Sequence, residues 1–170
     1  MPTFLESFDV DVTIDMLVQP LLAVFCGAIL GWNREAAGRA AGLRTQALVA
    51  LGSCIFTMSA YQVALDTPEA NLDPIRILAG IVGGIGFLGA GSIVHSGHTI
   101  HGVTTAATVW MSGAIGIVCG IGWYEMAVIS LVLTLTTLVG LDGLAHACAP
   151  KKKSEEVQEG KQEDRPTPLP

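Results

Sequence analysis

The sequence predicts an all-α polytopic membrane bundle of about five transmembrane helices, with its N-terminus outside and its C-terminus in the cytoplasm. Three observations predict it. The first is composition: 51% of the 170 residues are apolar and 14% are charged, where a soluble globular chain carries roughly a quarter charged residues. The second is where the charges are missing. From Ile75 to Asp142 the formal charges are Arg76, Glu125 and Asp142 alone. Shown to water, that stretch exposes a large apolar surface. In a bilayer it is at home, because a helix of about 20 mostly apolar residues crosses about 30 Å of hydrocarbon. The third is the asymmetry of the basic residues, taken up below.

The elements follow in order. Residues 1–13 form an expected periplasmic segment; together with Asp15 they carry Glu6, Asp9 and Asp11 and no Lys or Arg. A secretory signal opens on a basic region, so the first apolar run, 14–32, is expected to be a retained helix. The loop 33–44 carries Arg34, Arg39 and Arg44, and the second span runs over 45–65. The third covers 75–94, the fourth 103–121 and the fifth 123–141. Gly120-Ile121-Gly122-Trp123 joins the last two as a short turn; the alternative is a four-span arrangement that merges or tilts them. The transmembrane domain thus extends over 14–149. From Pro150 the chain turns polar and low in complexity, too poor in apolar residues to fold. Residues 150–170 are expected to be a disordered cytoplasmic tail whose lysines meet the anionic leaflet.

Orientation comes from Lys and Arg. Eight of the nine basic residues lie in the segment Asn33–Arg44 and in the tail from Lys151. With the N-terminus outside, both fall on the inner side, as the positive-inside rule requires. The outer segments then hold Glu6, Asp9, Asp11, Asp15, Asp66, Glu69, Asp73 and Glu125, and Arg76 stands near the outer face. Trp123 and Tyr124 at the outer end and Trp32 at the inner end suit the membrane interfaces.

Small residues recur at four-residue spacing, at Gly27/Gly31, Gly80/Gly84 and Ser112/Gly116/Gly120. In lipid, helices associate by close packing, and small residues let backbones approach. The third span is the most glycine-rich, so it is expected at the centre of the bundle; a break lining a cavity is the alternative. Cys26, Cys54, Cys119 and Cys148 lie in or beside apolar runs with no Cys-x-x-Cys pair, and read as small packing residues kept reduced.

Several motifs invite a chemical reading. Gly84-Ile-Gly-Phe-Leu-Gly89 spells the dinucleotide fingerprint, but no strand precedes it and Val109 stands where an acid should follow. Helix packing explains it better, and no cofactor is expected. His95, His98 and His101 are spaced by three and stand as weak metal-ligand candidates on one face, although Gly97 interrupts them. No basic patch interleaved with aromatics marks a nucleic-acid surface. Gly31-Trp-Asn-Arg-Glu35 and Ala41-Gly-Leu-Arg-Thr-Gln46 bring Arg34, Glu35, Arg39 and Arg44 under the bundle. One reading is topological anchoring. The other is a fixed polar cluster of Arg34 and Arg44 with Glu35, suited to a carboxylate, a lipid headgroup or another anion.

An intramembrane carboxylate is costly and tends to be kept for ion transport. Here the acidic residues lie at or beyond the span ends. The mid-span polar residues Ser53, Thr57, Ser59, Ser92, Thr108, Ser112, Thr134 and Thr136 are hydroxyls, which often bond their own helix or a neighbour. No nucleophile–base pair suggests hydrolysis, so the protein is expected not to be an enzyme.

The arginine segment, the block Arg76-Ile-Leu-Ala-Gly-Ile-Val-Gly-Gly-Ile-Gly-Phe-Leu-Gly-Ala-Gly91 and the block Gly102-Val-Thr-Thr-Ala-Ala-Thr-Val-Trp110 together resemble the MgtC/SapB family of bacterial inner-membrane proteins. The resemblance runs from about Gly31 to about Gly122. It implies a multi-pass bundle in the cytoplasmic membrane linked to magnesium homeostasis and stress adaptation and, in some pathogens, to survival in macrophages. It implies action on membrane protein partners, with a transporter or channel for Mg²⁺ or another small ion as the alternative and a lipid- or anion-binding module as a third. A homo-oligomer is also compatible with it. Carried over by motif, the functional positions are Arg34, Glu35, Arg44, Thr45, Arg76, Thr104, Thr105 and Trp110, with Gly84, Gly86 and Gly89 of the glycine block. Gln46 departs from the His or Asn that often follows the Arg-Thr pair, and Gly80 stands where the family often has Gln. The tail is too short for the folded C-terminal domain of the best-known members.

Overall fold

The computed structural model of the protein describes residues 10–67, 73–96 and 99–148. The tail 150–170, most of the segment 1–13, Glu69 and His98 lie outside the described residues. The elements are helix α1 (Val10–Ala36), α2 (Leu43–Asp66), α3 (Pro74–Gly91), a hairpin of β1 (Val94–Ser96) and β2 (Thr99–His101), α4 (Val103–Ile121) and α5 (Tyr124–Cys148). The protein is an all-α membrane bundle with one small hairpin. The expected third span stops short, because its last residues leave the helix at Ser92 and Val94 opens β1.

Among the described residues, four stretches are long and apolar enough to cross a bilayer: Met16–Ala36, Leu43–Asp66, Val103–Ile121 and Tyr124–Leu141. The apolar run of α3, Ile75–Gly91, is shorter. Even so, the 18 residues of α3 rise about 27 Å, close to the about 30 Å of hydrocarbon. The helix is continuous through its glycines.

Local chemistry sets the boundaries. Asp73 accepts the Ile75 N–H at 2.9 Å while Pro74 takes the first helical position of α3, an arrangement that satisfies one orphan donor and wastes none. At the other end of the chain order, Gly122 adopts φ 87° and closes α4 by donating to the Cys119 carbonyl at 2.9 Å. Only a residue without Cβ takes that left-handed geometry cheaply. It turns the chain into α5 within two residues.

The core lies among α1, α2 and α4, and its residues are small. Ala23, Cys26 and Leu30 of α1, Ala50 and Cys54 of α2, and Ile115 and Cys119 of α4 are all fully or almost fully buried. Three of these are free thiols. Glycine makes the approach close enough. A Cβ on Gly31 would sit 2.5 Å from the Leu43 Cα and 2.8 Å from the Gly42 carbonyl. On α4, a Cβ on Gly116 would strike the Ala50 carbonyl, and one on Gly120 would lie 2.7 Å from the Cys54 carbonyl. The outward faces, with Leu21, Phe25, Trp32, Leu48 and Phe56 exposed, suit hydrocarbon rather than water.

The glycine-rich helix is not central. α3 lies at one edge, against α4 through Ile85 packed on Gly113 and through Gly89, whose added Cβ would lie 3.3 Å from the Ala106 carbonyl. A Cβ at Gly80, Gly83, Gly84, Gly86 or Gly91 meets nothing within 4 Å. The reason is competition. The small-residue face of α4 is already taken by α2 at Gly116 and Gly120, so α3 reaches α4 only beyond it. Glycine permits close packing, but it brings no side-chain surface of its own to hold a neighbour.

The compact unit runs to Leu135; Thr136–Pro170 is a second unit, of which the described residues continue α5 to Cys148. Within the first unit α5 buries Ala127 and Leu131, one turn apart, and leaves Met126, Val128, Ile129, Val132 and Leu133 exposed.

Candidate functional site

Three helices bring polar groups together in the core. Gln46 stands in the first turns of α2 and is completely buried. Its Oε1 accepts from the Ser112 hydroxyl at 2.6 Å, and its Nε2 donates to Thr108 Oγ1 at 3.0 Å and to the Ala41 carbonyl at 3.2 Å. Thr108 Oγ1 in turn donates to the Thr105 carbonyl at 2.8 Å. One layer nearer the end of α1, Arg34 Nη2 donates to Thr105 Oγ1 at 3.0 Å, and this guanidinium is only 6% exposed. Thr105, Thr108 and Ser112 recur at helical spacing, so they form one polar stripe on the face of α4 that meets α1 and α2. The stripe ties all three core helices at one end of the bundle.

The sequence holds the pieces in place for local reasons. Gly27 lets α1 close on α2 at Gln46, where an added Cβ would lie 2.7 Å from the Gln46 carbonyl. The loop between the two helices turns through left-handed Gly38 and Ala41. Glu35 Oε2 accepts the Leu43 N–H at 3.0 Å, placing a carboxylate at the first turn of α2, where the helix dipole favours it. Gly42 leaves room for that carboxylate, since a Cβ would sit 2.6 Å from Glu35 Oε2 and push it aside.

The polar cluster expected from Arg34, Arg44 and Glu35 is therefore split three ways. Arg34 points into the core, Glu35 caps α2, and Arg44 is exposed at the side of α2. Helical spacing explains the split: neighbours in a helix lie about 100° apart and cannot face the same point. Of the other positions carried over by motif, Thr105 joins the buried stripe, while Thr104, Trp110 and Arg76 are exposed. Thr45 and Gly84 line a groove between α2 and α3 that begins at Arg44. Gly86 faces open space and Gly89 touches α4.

The histidines do not form the shared face that their spacing suggested. In the hairpin register Val94 pairs with His101 and His95 with Ile100. Paired residues share a face and successive ones alternate, so His95 and His101 lie on opposite faces of the ribbon. Their third partner, His98, is outside the described residues.

Sequence reasoning passed over Gln46, noted only as a departure, and left open whether Thr108 and Ser112 bond their own helix or a neighbour. Ser53 closes on its own helix, onto the Val49 carbonyl at 2.8 Å, as does Thr57 onto the Ser53 carbonyl at 2.8 Å. Thr108 does both, donating to the Thr105 carbonyl and accepting from Gln46, and Ser112 donates to Gln46 across the bundle. The signal was their i, i+4 spacing behind Thr105, with a lone amide early in α2.

The sequence model of the MgtC family matches residues 21–147. "Putative magnesium transporter YhiD" of Escherichia coli K12 is 43% identical over 130 residues, covering 74% of this chain and 60% of that one. "Protein SrpB" of Synechococcus elongatus is 41% identical over 133 residues, 73% of each chain. "Protein MgtC" of Salmonella typhimurium is 44% identical over 115 residues, 68% of this chain and 47% of that one. The chain therefore spans 60% of the length of YhiD and about half that of MgtC. No solved structure matches.

Proposed function

The chain belongs to the MgtC family, and from that premise we propose that it is a multi-pass inner-membrane factor of magnesium homeostasis that acts by contact with membrane partners and performs no catalysis. The observation that carries this reading is the buried guanidinium of Arg34, held by Thr105 at the head of the polar stripe. The stripe runs into the bundle from that end. A divalent cation drawn along it meets a fixed positive charge. Such a core suits a rigid scaffold that presents its outer faces to other proteins. The charge map supports the orientation with the N-terminus outside, which puts Arg39, Arg44 and the hairpin on the cytoplasmic side.

A second reading, a magnesium transporter, is favoured by the printed name of YhiD. The two part on one measurement. Purified protein, shown to be folded by circular dichroism, is reconstituted into vesicles loaded with a Mg²⁺ indicator. Flux no greater than in protein-free vesicles is expected. Saturable flux that needs the protein would overturn the contact reading and leave transport standing.

A further inference from the structure

The same structure leaves a long groove between α2 and α3. Its volume is about 1020 Å³, and its lining runs from Arg44 and Thr45 at one end to Val63 and Ile77 at the other. That places it at the top of the range of about 300–1,000 Å³ typical of ligand pockets, too large for a headgroup alone. From Arg44 to Val63 the groove extends about 28 Å along α2, nearly the depth of the hydrocarbon. Its walls are apolar, with Leu48, Phe56, Ile81 and Leu88 among them. Of its two serines beyond the mouth, Ser53 spends its hydroxyl on its own helix, donating to the Val49 carbonyl at 2.8 Å, and Ser59 lies in the half toward Val63. Gly80 and Gly84 keep the α3 wall open, with nothing within 4 Å of where a Cβ would stand.

The two ends of the groove differ in charge. Arg44, exposed, and the Thr45 hydroxyl stand at one mouth, and the shaft beyond is hydrocarbon-like. We propose that the α2–α3 groove is a binding site for an anionic glycerophospholipid, with its phosphate on Arg44 and an acyl chain laid between Leu48 and Leu88 toward Phe56. Arg presents a planar fork of donors that matches a phosphate in a way a neutral side chain cannot, and the apolar shaft supplies affinity by burying methylenes. The amphipathic match of mouth and shaft is what selects a lipid over a second helix. A partner helix needs no anion at that end, and it would leave Arg44 against an apolar surface. The site is independent of how the protein acts in magnesium homeostasis.

Native mass spectrometry of the full chain in detergent tests it, with palmitoyl-oleoyl phosphatidylglycerol and the matching phosphatidylcholine as competing probes. Wild type should retain phosphatidylglycerol at least fivefold over phosphatidylcholine. Arg44→Gln should lose that preference while still retaining lipid. Gly84→Leu fills the shaft and should lose both. Arg39→Gln, an exposed arginine of the neighbouring loop, should bind as wild type does, and circular dichroism with the thermal midpoint confirms that each variant is folded. Equal retention of the two lipids by wild type, or a preference that survives Arg44→Gln, overturns the proposal. So does a Gly84→Leu variant that keeps its lipid but loses a co-purifying membrane protein, which assigns the groove to a helix instead.

Discussion

Arg34 Nη2 donates to Thr105 Oγ1 at 3.0 Å, joining the end of α1 to the first turn of α4 across 71 residues of chain. The bond matters for stability because Arg34 is buried and the bond ties α1 to α4. In water-soluble proteins a hydrogen bond to a charged group contributes about 1.5–3 kcal/mol. Between membrane helices the average is about 0.6 and the maximum about 1.7, because the unfolded chain in the membrane also finds partners. The membrane value governs here. Thr105→Val is expected to lower stability by about 1–1.7 kcal/mol in denaturation from detergent micelles, and Thr105→Ser, which keeps the hydroxyl, to lie close to wild type. Equal midpoints for the two variants would remove the structural role assigned to this pair.

How much of this was legible in the sequence varies with the kind of signal. Helix positions were, because runs of apolar residues between polar breaks are set by bilayer thickness. The fourth span was expected at 103–121 and α4 runs Val103–Ile121. The place of α3 was not legible, since a glycine stripe records that close packing is allowed and not which neighbour takes it. Gln46 was hidden for another reason. A lone amide near an expected helix start reads as interfacial, and only the closure of α1 through Gly27 and Gly31 buries it. The arginine segment was legible as a motif, but the division of labour among Arg34, Glu35 and Arg44 depends on helix phase and on the Gly42 turn.

Gln46 and Ser112 should be energetically coupled. Their 2.6 Å bond links α2 to α4, and both residues are fully buried. A double-mutant cycle with Gln46→Leu and Ser112→Ala isolates the pair. We expect a coupling of about 0.6–1.7 kcal/mol, and Gln46→Leu alone should cost more than Ser112→Ala, since it also strips the bond to Thr108. Additive losses in the cycle would mean that the bond does not contribute to stability.

Glycines of α4 and α3 should respond in opposite directions to the same substitution. Gly116→Ala drives a methyl into the Ala50 carbonyl and should destabilise by about 1–3 kcal/mol, the cost of overpacking. Gly80→Ala and Gly83→Ala enter open space, so only helix propensity changes, and each should be neutral or stabilising by up to about 1 kcal/mol. Thermal midpoints in one detergent decide this. A loss at Gly80 comparable to that at Gly116 would show that a neighbour packs on the open glycine face of α3.

The Glu35 carboxylate caps α2 through the Leu43 N–H at 3.0 Å. Glu35→Ala should therefore cost about 0.5–2 kcal/mol, as loss of a side-chain cap does. Glu35→Gln keeps an acceptor oxygen and should retain most of the stability. Amide hydrogen exchange gives a local readout: the first turn of α2 should exchange faster in Glu35→Ala than in Glu35→Gln. Unchanged exchange in both variants would place the function of Glu35 elsewhere.

The orientation is open to direct labelling in a Cys148→Ser background, because the other three cysteines, Cys26, Cys54 and Cys119, are buried. Positive-inside reasoning puts Arg39 in the α1–α2 loop and Ser96 in the hairpin on the cytoplasmic side, with Thr67 after α2 and Glu125 at the start of α5 outside. All four residues are exposed, so a cysteine at any of them is accessible from its own side. Thr67→Cys and Glu125→Cys should react with a membrane-impermeant maleimide once the outer membrane is permeabilised. Arg39→Cys and Ser96→Cys should react only after the membrane that holds the protein is opened. The alternation follows from helix order, since each span carries the chain across once. If α3 merely dips into the bilayer and returns, Ser96→Cys would label together with Thr67→Cys while Arg39→Cys stays protected. That one result would reduce the spans and put the hairpin, with His95 and His101, on the outer face.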